Sequence, residues 1–551
     1  MHFQPLAWRR LVPAAAPLVA ALVVSGVGAA AWAQAGAPAG TPAGAPSTPS
    51  FKVDAYRVEG ENPIGDARAQ AVLGAYTGGA VALDRLQAAA EALERALHEA
   101  GYGFYRVVLP PQESTGIVRL RVLSFVIGSV TLKNQQFVSE ANVRASLPAL
   151  KEGKSPNTLV LARDLALANE NPARRIVTAF RPGEKPDTVD ANLEVIDSRP
   201  LTGYLQFANT GTPATGMGRI TFGGSHANLF GRDHQLTATY TTSTEYPEKV
   251  DQWGAFYRVP VYGIGGLVAA YYTRSNVQSG TAAGVAITGG GTFAGIQYTQ
   301  YFAPRGDYRD YLTLGWDDKQ FDNSVQVAGR PLGTCDRIAS RPLSLSYAGR
   351  HEGAATTLSF NLDFARNLPG GSNNSQSAYD RCNPPADASR NLSSSWTALR
   401  FGGDANWRFS GDWMLAGRLR AQLAGQTLIA GEKFGIGGAT SVRALPERAV
   451  VGDAGVQASI ELWAPPLWQG VRLLGFYDHG RVRTLEPAPG LLSHDSAGSV
   501  GFGLRWQHQA QVALTMDYGV VIQGHAPTNT ANAPQNTRGR DRLHVNLLVK
   551  F

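Results

Sequence analysis

The chain has 551 residues, with 62 glycines, 19 tyrosines, 10 tryptophans, only 17% charged residues and a formal net charge of +7. That length exceeds one ordinary domain. Beyond the N-terminal leader no apolar run reaches the about 18 residues that a membrane-spanning helix needs, so a second helical span is excluded.

In chain order, Arg9 and Arg10 precede an apolar run from Leu11 to about Ala31, and Ala31-Trp32-Ala33 follows. This reads as a secretory signal over residues 1–33, cut after Ala33. An exported chain meets no nucleic acid, so the basic balance is expected to line a lumen instead. Residues 34–50 are Ala, Gly, Pro, Thr and Ser, a disordered linker whose proline spacing argues against a helix. From Phe51 to Ser124 the order is strand, helix, helix, strand, strand. Leu83, Leu86, Ala90, Leu93 and Leu97 recur at helical steps between Val81 and Ala100, and Gly101 stops that helix. The same order recurs over 125–197: a strand at Ile127–Leu132, helices from Ser139 and over Asn157–Glu170, strands at Arg175–Phe180 and Val189–Ile196. These are two α+β repeats of about 75 residues.

Beyond Arg199-Pro200 the period is two. Leu399, Phe401, Gly403, Ala405, Trp407 and Phe409 alternate with Arg400, Gly402, Asp404, Asn406 and Arg408. About sixteen such segments, short turns alternating with long loops, predict a 16-stranded antiparallel β-barrel over 198–551, apolar outside and polar inside, in contact with outer-membrane lipid. Trp396, Trp407, Trp413, Trp463 and Trp506 lie at strand ends and are expected to form interfacial girdles.

One loop stands apart. Residues 425–451 are Gly-rich and irregular and carry Arg443 amid small residues. Along the strand that starts at Val471, Arg472, Phe476, Asp478 and Gly480 share the face opposite Val471, Leu473 and Tyr477. Asp478 thus faces the lumen, where an arginine on a long loop could reach it and make charge-assisted, bidentate bonds. Ser441-Val442-Arg443-Ala444-Leu445 resembles the V-R-G-Y/F signature on the sixth surface loop of two-partner secretion transporters (TpsB, haemolysin-activator type). Phe476-Tyr477-Asp478-His479-Gly480 resembles the F-x-D-x-G signature on the wall strand that holds that loop. The departure is Ala444-Leu445 where Gly-aromatic is usual.

The resemblance implies that the repeats are periplasmic POTRA domains, 51–124 and 125–197. Asn169-Glu170-Asn171-Pro172 and Arg181-Pro182-Gly183 also resemble the second of them. It further implies that loop 425–451 folds into the lumen, where Arg443 meets Asp478, with Val442, Phe476 and Gly480 as signature positions. The implied function is export of one large exoprotein (TpsA-like) from periplasm to cell surface, after capture by the POTRA domains. The final strand, ending at Phe551, resembles the C-terminal signal read by the barrel-assembly machinery. An assembly insertase of the same superfamily shares fold and loop signatures but usually has more repeats. A passive porin would need neither repeats nor the Arg443–Asp478 pair.

Cys335 and Cys382 fall in consecutive outer loops, where nothing keeps thiols reduced. A disulfide between them closes a loop of about 48 residues, stabilising by about 4 kcal/mol in the chain-entropy account. No enzyme is expected. Gly153-Lys154-Ser155 has Pro148 where a phosphate loop needs its first glycine. Ser493-His494-Asp495 are adjacent and cannot form a triad. The histidines lack metal-ligand spacing, so neither metal nor cofactor is expected.

Overall fold

The computed structural model describes residues 50–551 except 114, 278–279, 283–284, 288–289, 323–325, 328–329, 332–336, 383–390, 469, 488–491 and 527–534. The expected signal peptide and nearly all of the linker lie outside the described residues, as does Cys335. The chain divides into two compact units, one holding the first repeat and the other the second repeat with the barrel.

In the first repeat, β1 (Ala55–Gly60) lies parallel to β3 (Ile117–Ser124), and β2 (Tyr105–Val108) forms the other edge. Helix α1 (Asp66–Leu73) precedes α2 (Leu83–Glu99). Of the stripe that predicted α2, Leu86, Ala90, Leu93 and Leu97 are at most 6% exposed, whereas Leu83, the first residue of the helix, is 46% exposed. Full burial of one such leucine stabilises by about 1.5–3 kcal/mol. A short ribbon, Ser50–Lys52 with Ala80–Ala82, escaped the sequence reading because three residues show no period.

The second repeat has β4 (Val126–Lys133), α3 (Glu140–Ser146), α4 (Thr158–Ala168), β5 (Arg174–Pro182) and β6 (Thr188–Asp197), in the sheet order β4-β6-β5. Ser139 caps α3 by accepting from Asn142 N, and Asn157 caps α4 by accepting from Leu159 N and Val160 N. Ile127, Val143, Leu147, Leu161, Ile176, Leu193 and Val195 form its core.

The barrel strands are β7 (Leu201–Ala208), β8 (Arg219–Leu229), β9 (His234–Ser243), β10 (Gln252–Val261), β11 (Gly266–Ser275), β12 (Gly291–Tyr301) and β13 (Tyr308–Asp322). Then come β14 (Arg337–Ser340 and Pro342–Glu352, both paired to β13), β15 (Thr356–Asn367), β16 (Thr397–Arg408), β17 (Met414–Ala424) and β18 (Ala454–Trp463). The last four are β19 (Val471–Arg483), β20 (His494–His508), β21 (Val512–Gln523) and β22 (Asp541–Lys550). All sixteen pair antiparallel to their neighbours, and β22 closes on β7 from Asn546↔Ala208 to Lys550↔Tyr204. Gly203 and Phe551 extend that seam by exchanging two backbone bonds of 2.9 Å. Closure leaves no edge unpaired in lipid.

Leu358, Leu362, Leu415, Leu419, Ile460, Leu473 and Tyr477 point outward, while Thr239, Thr241, Gln422, Ser459 and Asp478 are buried inside. Two girdle assignments are corrected. Trp407 and Trp413 face outward, but Trp463 is 6% exposed and shares the inner face of β18 with Ser459 and Glu461. Trp396 is fully buried, beneath a helix in the β15–β16 loop. That helix is α5 (Gln376–Arg381). Its Tyr379 packs with Trp396, Phe321 and Ile338, and with Leu428 and Ile429 at the root of loop 425–451.

Candidate functional site: a loop held inside the barrel

Loop 425–451 leaves β17 and is pinned first at Glu432. This carboxylate accepts from Lys319 Nζ (3.0 Å), Ser340 Oγ (2.7 Å) and Arg400 Nη2 (2.9 Å), tying the loop to β13, β14 and β16. Phe434–Ile436 then pairs with Val450–Gly452, so the tip projects as a narrow hairpin. Ile436 meets the wall at Gly480, where a Cβ would stand 2.8 Å from Ile436 Cγ2. The signature glycine is thus a requirement of close approach, and any side chain there displaces the hairpin.

At the tip, Arg443 is 3% exposed and Asp478 is fully buried. The pair is bidentate: Arg443 Nε donates to Asp478 Oδ2 at 2.9 Å and Nη2 to Oδ1 at 2.7 Å, while the Arg443 backbone N donates to Oδ2 at 3.1 Å. Ser459 Oγ (2.7 Å) and Ser499 Oγ (3.3 Å) supply two more donors to the same carboxylate. The guanidinium carbon lies 3.5 Å from the centroid of the Phe476 ring, a cation–π contact in a desolvated site. The two residues singled out from sequence are therefore in contact, and Phe476 and Gly480 line the same face of β19.

Sequence reasoning missed the rest of the cage. Arg443 Nη1 also donates to Glu461 Oε1 at 2.7 Å and lies 3.6 Å from Asp517 Oδ1, which Arg505 pairs at 2.9 Å. Behind the tip, His544 Nε2 is 2.7 Å from the Arg443 carbonyl, so this nitrogen carries the proton and donates. Gly519 gives the backbone room, since a Cβ there would stand 3.2 Å from Ala444 N. Inward parity on β18 and β21 could have put Glu461 and Asp517 in the lumen, but not at this height. Val442, Ala444 and Leu445 are at most 3% exposed and pack with Ile436, Val450, Val482, Ala497 and Val521. Ala444-Leu445 thus fills by apolar packing the place of the usual Gly-aromatic pair. Among the described residues no His, Cys, Asp and Glu cluster has metal-holding geometry. Arg400, Arg418 and Arg420 extend the inner charge, paired with Asp363, Glu432 and Asp404.

A closed sixteen-stranded barrel with an ionically held loop in its lumen, preceded by α+β repeats, is the architecture of a transmembrane β-barrel protein. The sequence pattern of the family described as haemolysin secretion/activation protein ShlB/FhaC/HecB matches residues 188–506, and that of the ShlB-type POTRA domain matches residues 51–124. The chain belongs to this ShlB/FhaC/HecB family: it is a two-partner secretion transporter of the outer membrane, and such a transporter has a secreted exoprotein as its partner. It is 22% identical over 443 residues to the outer membrane transporter CdiB of Dickeya dadantii (strain 3937), covering 77% of this chain and 75% of that one. Two solved structures share the fold. CdiB from Escherichia coli has a TM-score of 0.72 at 17% identity, covering 93% of each chain. CdiB from Acinetobacter baumannii has a TM-score of 0.70 at 15% identity, covering 92% of this chain and 91% of that one.

Proposed function

We propose that this transporter captures one large exoprotein on two POTRA domains, residues 51–124 and 125–197, and passes it through the 198–551 barrel once the loop latch releases. The observation that carries this reading is the Arg443–Asp478 contact, which fixes a 27-residue loop (425–451) across the lumen by bonds that can break and re-form. Val442, Phe476 and Gly480 support the latch by packing, ring stacking and close approach. The exoprotein would dock as an added strand on an exposed sheet edge, where backbone hydrogen bonding asks little of its sequence. Edge strands β1 and β2 of the first repeat, and β4 and β5 of the second, are the candidates. Residues 1–33 serve as the signal peptide, and Phe551 as the terminal mark read by the barrel-assembly machinery. Cys335 and Cys382 form a disulfide across two outer loops. It is supported by Cys382 being no free thiol. Binding of the exoprotein and its folding outside supply the drive. Deleting residues 51–196 tests the capture step: the barrel is expected to insert and secretion to stop. Unchanged secretion by the barrel alone would overturn the receptor role.

A further inference from the structure

The latch does not use the Asn169-Glu170-Asn171-Pro172 segment of the second repeat, and its geometry points elsewhere. Asn169 serves its own domain, exchanging two side-chain bonds with the backbone of Ile176 (3.0 and 2.7 Å) to close the α4–β5 turn. Asn171 instead reaches the barrel. Its Nδ2 donates to Ala227 O on β8 at 3.0 Å and to Asp233 Oδ1 in the β8–β9 turn at 2.9 Å. Arg174, with no exposed side-chain surface, donates to Asp233 Oδ2 at 2.8 Å and to Asn142 Oδ1 at 2.7 Å. Asn142 in turn donates to Gly231 O at 2.8 Å. From the β10–β11 turn, Tyr262 donates to Asp233 Oδ2 at 2.7 Å. Burial, with the Asp233 carboxylate beside it, raises the Tyr262 phenol above its ordinary range, so it remains a donor. In the same turn Gly265 has φ 67°, and a Cβ there would stand 2.1 Å from Arg163 Nε of α4. The turn is shaped to receive that side chain.

A flexible tether would need none of this. An ion pair taken wholly out of water is favourable only when its geometry and remaining hydrogen bonds are in place, which makes it a device for fixing one arrangement. We propose that Asn142, Asn171 and Arg174 with Asp233 and Tyr262 form a fixed joint that holds the second POTRA domain in one orientation on the periplasmic rim of the barrel. These are positioning residues: exoprotein taken up by the domain reaches the lumen because the joint stays closed. The proposal rests on the capture reading above.

The test uses the full chain and an epitope-tagged exoprotein whose secretion depends on it. Arg174→Met and Asp233→Asn each leave one buried charge alone, and Arg174→Met/Asp233→Asn leaves none. Three quantities are measured: heat-modifiable mobility for barrel folding, exoprotein cross-linked to the periplasmic domains, and exoprotein in the medium. The expected result is a folded barrel and undiminished cross-linking, with secretion down about tenfold or more in each single variant and recovering in the double. Normal secretion in both singles overturns the joint, while the 51–196 deletion, run in parallel, still reports separately on capture. Loss of cross-linking together with secretion also overturns it, because the residues would then only fold the domain.

Discussion

Arg443→Ala and Asp478→Ala are not equivalent perturbations. Removing one partner of a buried pair generally costs about 3–5 kcal/mol, because the other charge is left uncompensated. Arg443→Ala reaches that range: Asp478 keeps its two serine hydroxyls and the backbone N–H of residue 443 but loses its opposite charge, and Glu461 loses a 2.7 Å partner. Asp478→Ala leaves the guanidinium facing Glu461 and Asp517 at 2.7 and 3.6 Å. Its cost is the smaller of the two, because Asp478→Ala loses the two guanidinium bonds to Asp478 but keeps the one to Glu461, whereas Arg443→Ala loses all three. A difference of about 1.4 kcal/mol is tenfold in the ratio of seated to unseated loop. Both variants should therefore insert normally and secrete poorly, Arg443→Ala the worse. The double variant should be no worse than Arg443→Ala, because the bond is already gone and Asp478 is no longer stranded. The assay is tagged exoprotein in the medium, normalised to heat-modifiable barrel, across the complete cycle. Normal secretion by the singles, or defects that simply multiply, would refute the latch.

Two further outcomes follow. Quantitative thiol labelling of denatured, unreduced protein should find neither Cys335 nor Cys382 reactive, and two labelled thiols per chain would refute the bond. Gly480→Val should lower secretion without blocking insertion, since its side chain meets Ile436 and pushes the hairpin off the wall; wild-type secretion would show that the hairpin does not need that contact.

The sequence signals that worked were short-range ones. Alternation along β19 put Asp478 inside, and the helical stripe from Leu83 to Leu97 defined α2 before any tertiary contact was known. What stayed hidden depends on register between distant segments. Glu461 and Asp517 meet Arg443 only because three strands and the hairpin bring them to one height, and His544 sits 101 residues from the carbonyl it binds. Trp463 stands at a strand end as a girdle residue would, but face parity places it inside with Glu461. Helix α5 is six residues long, under two turns, and too short for a periodic signal. Arg174 and Asp233 could not be joined from sequence either, being 59 residues apart in separate structural layers.

In the proposed mechanism the loop must leave its seat for the exoprotein to pass. Ser441 Oγ of the loop hydrogen-bonds Gln457 Oε1 on β18, which marks a place to tie it down. Cysteines at 441 and 457, in a chain whose Cys335 and Cys382 are replaced by serine, can be joined by a short cleavable cross-linker in intact cells. Secretion measured before cross-linking, after it, and after cleavage should be on, off and on again. Undiminished secretion with the loop still tethered would contradict the account.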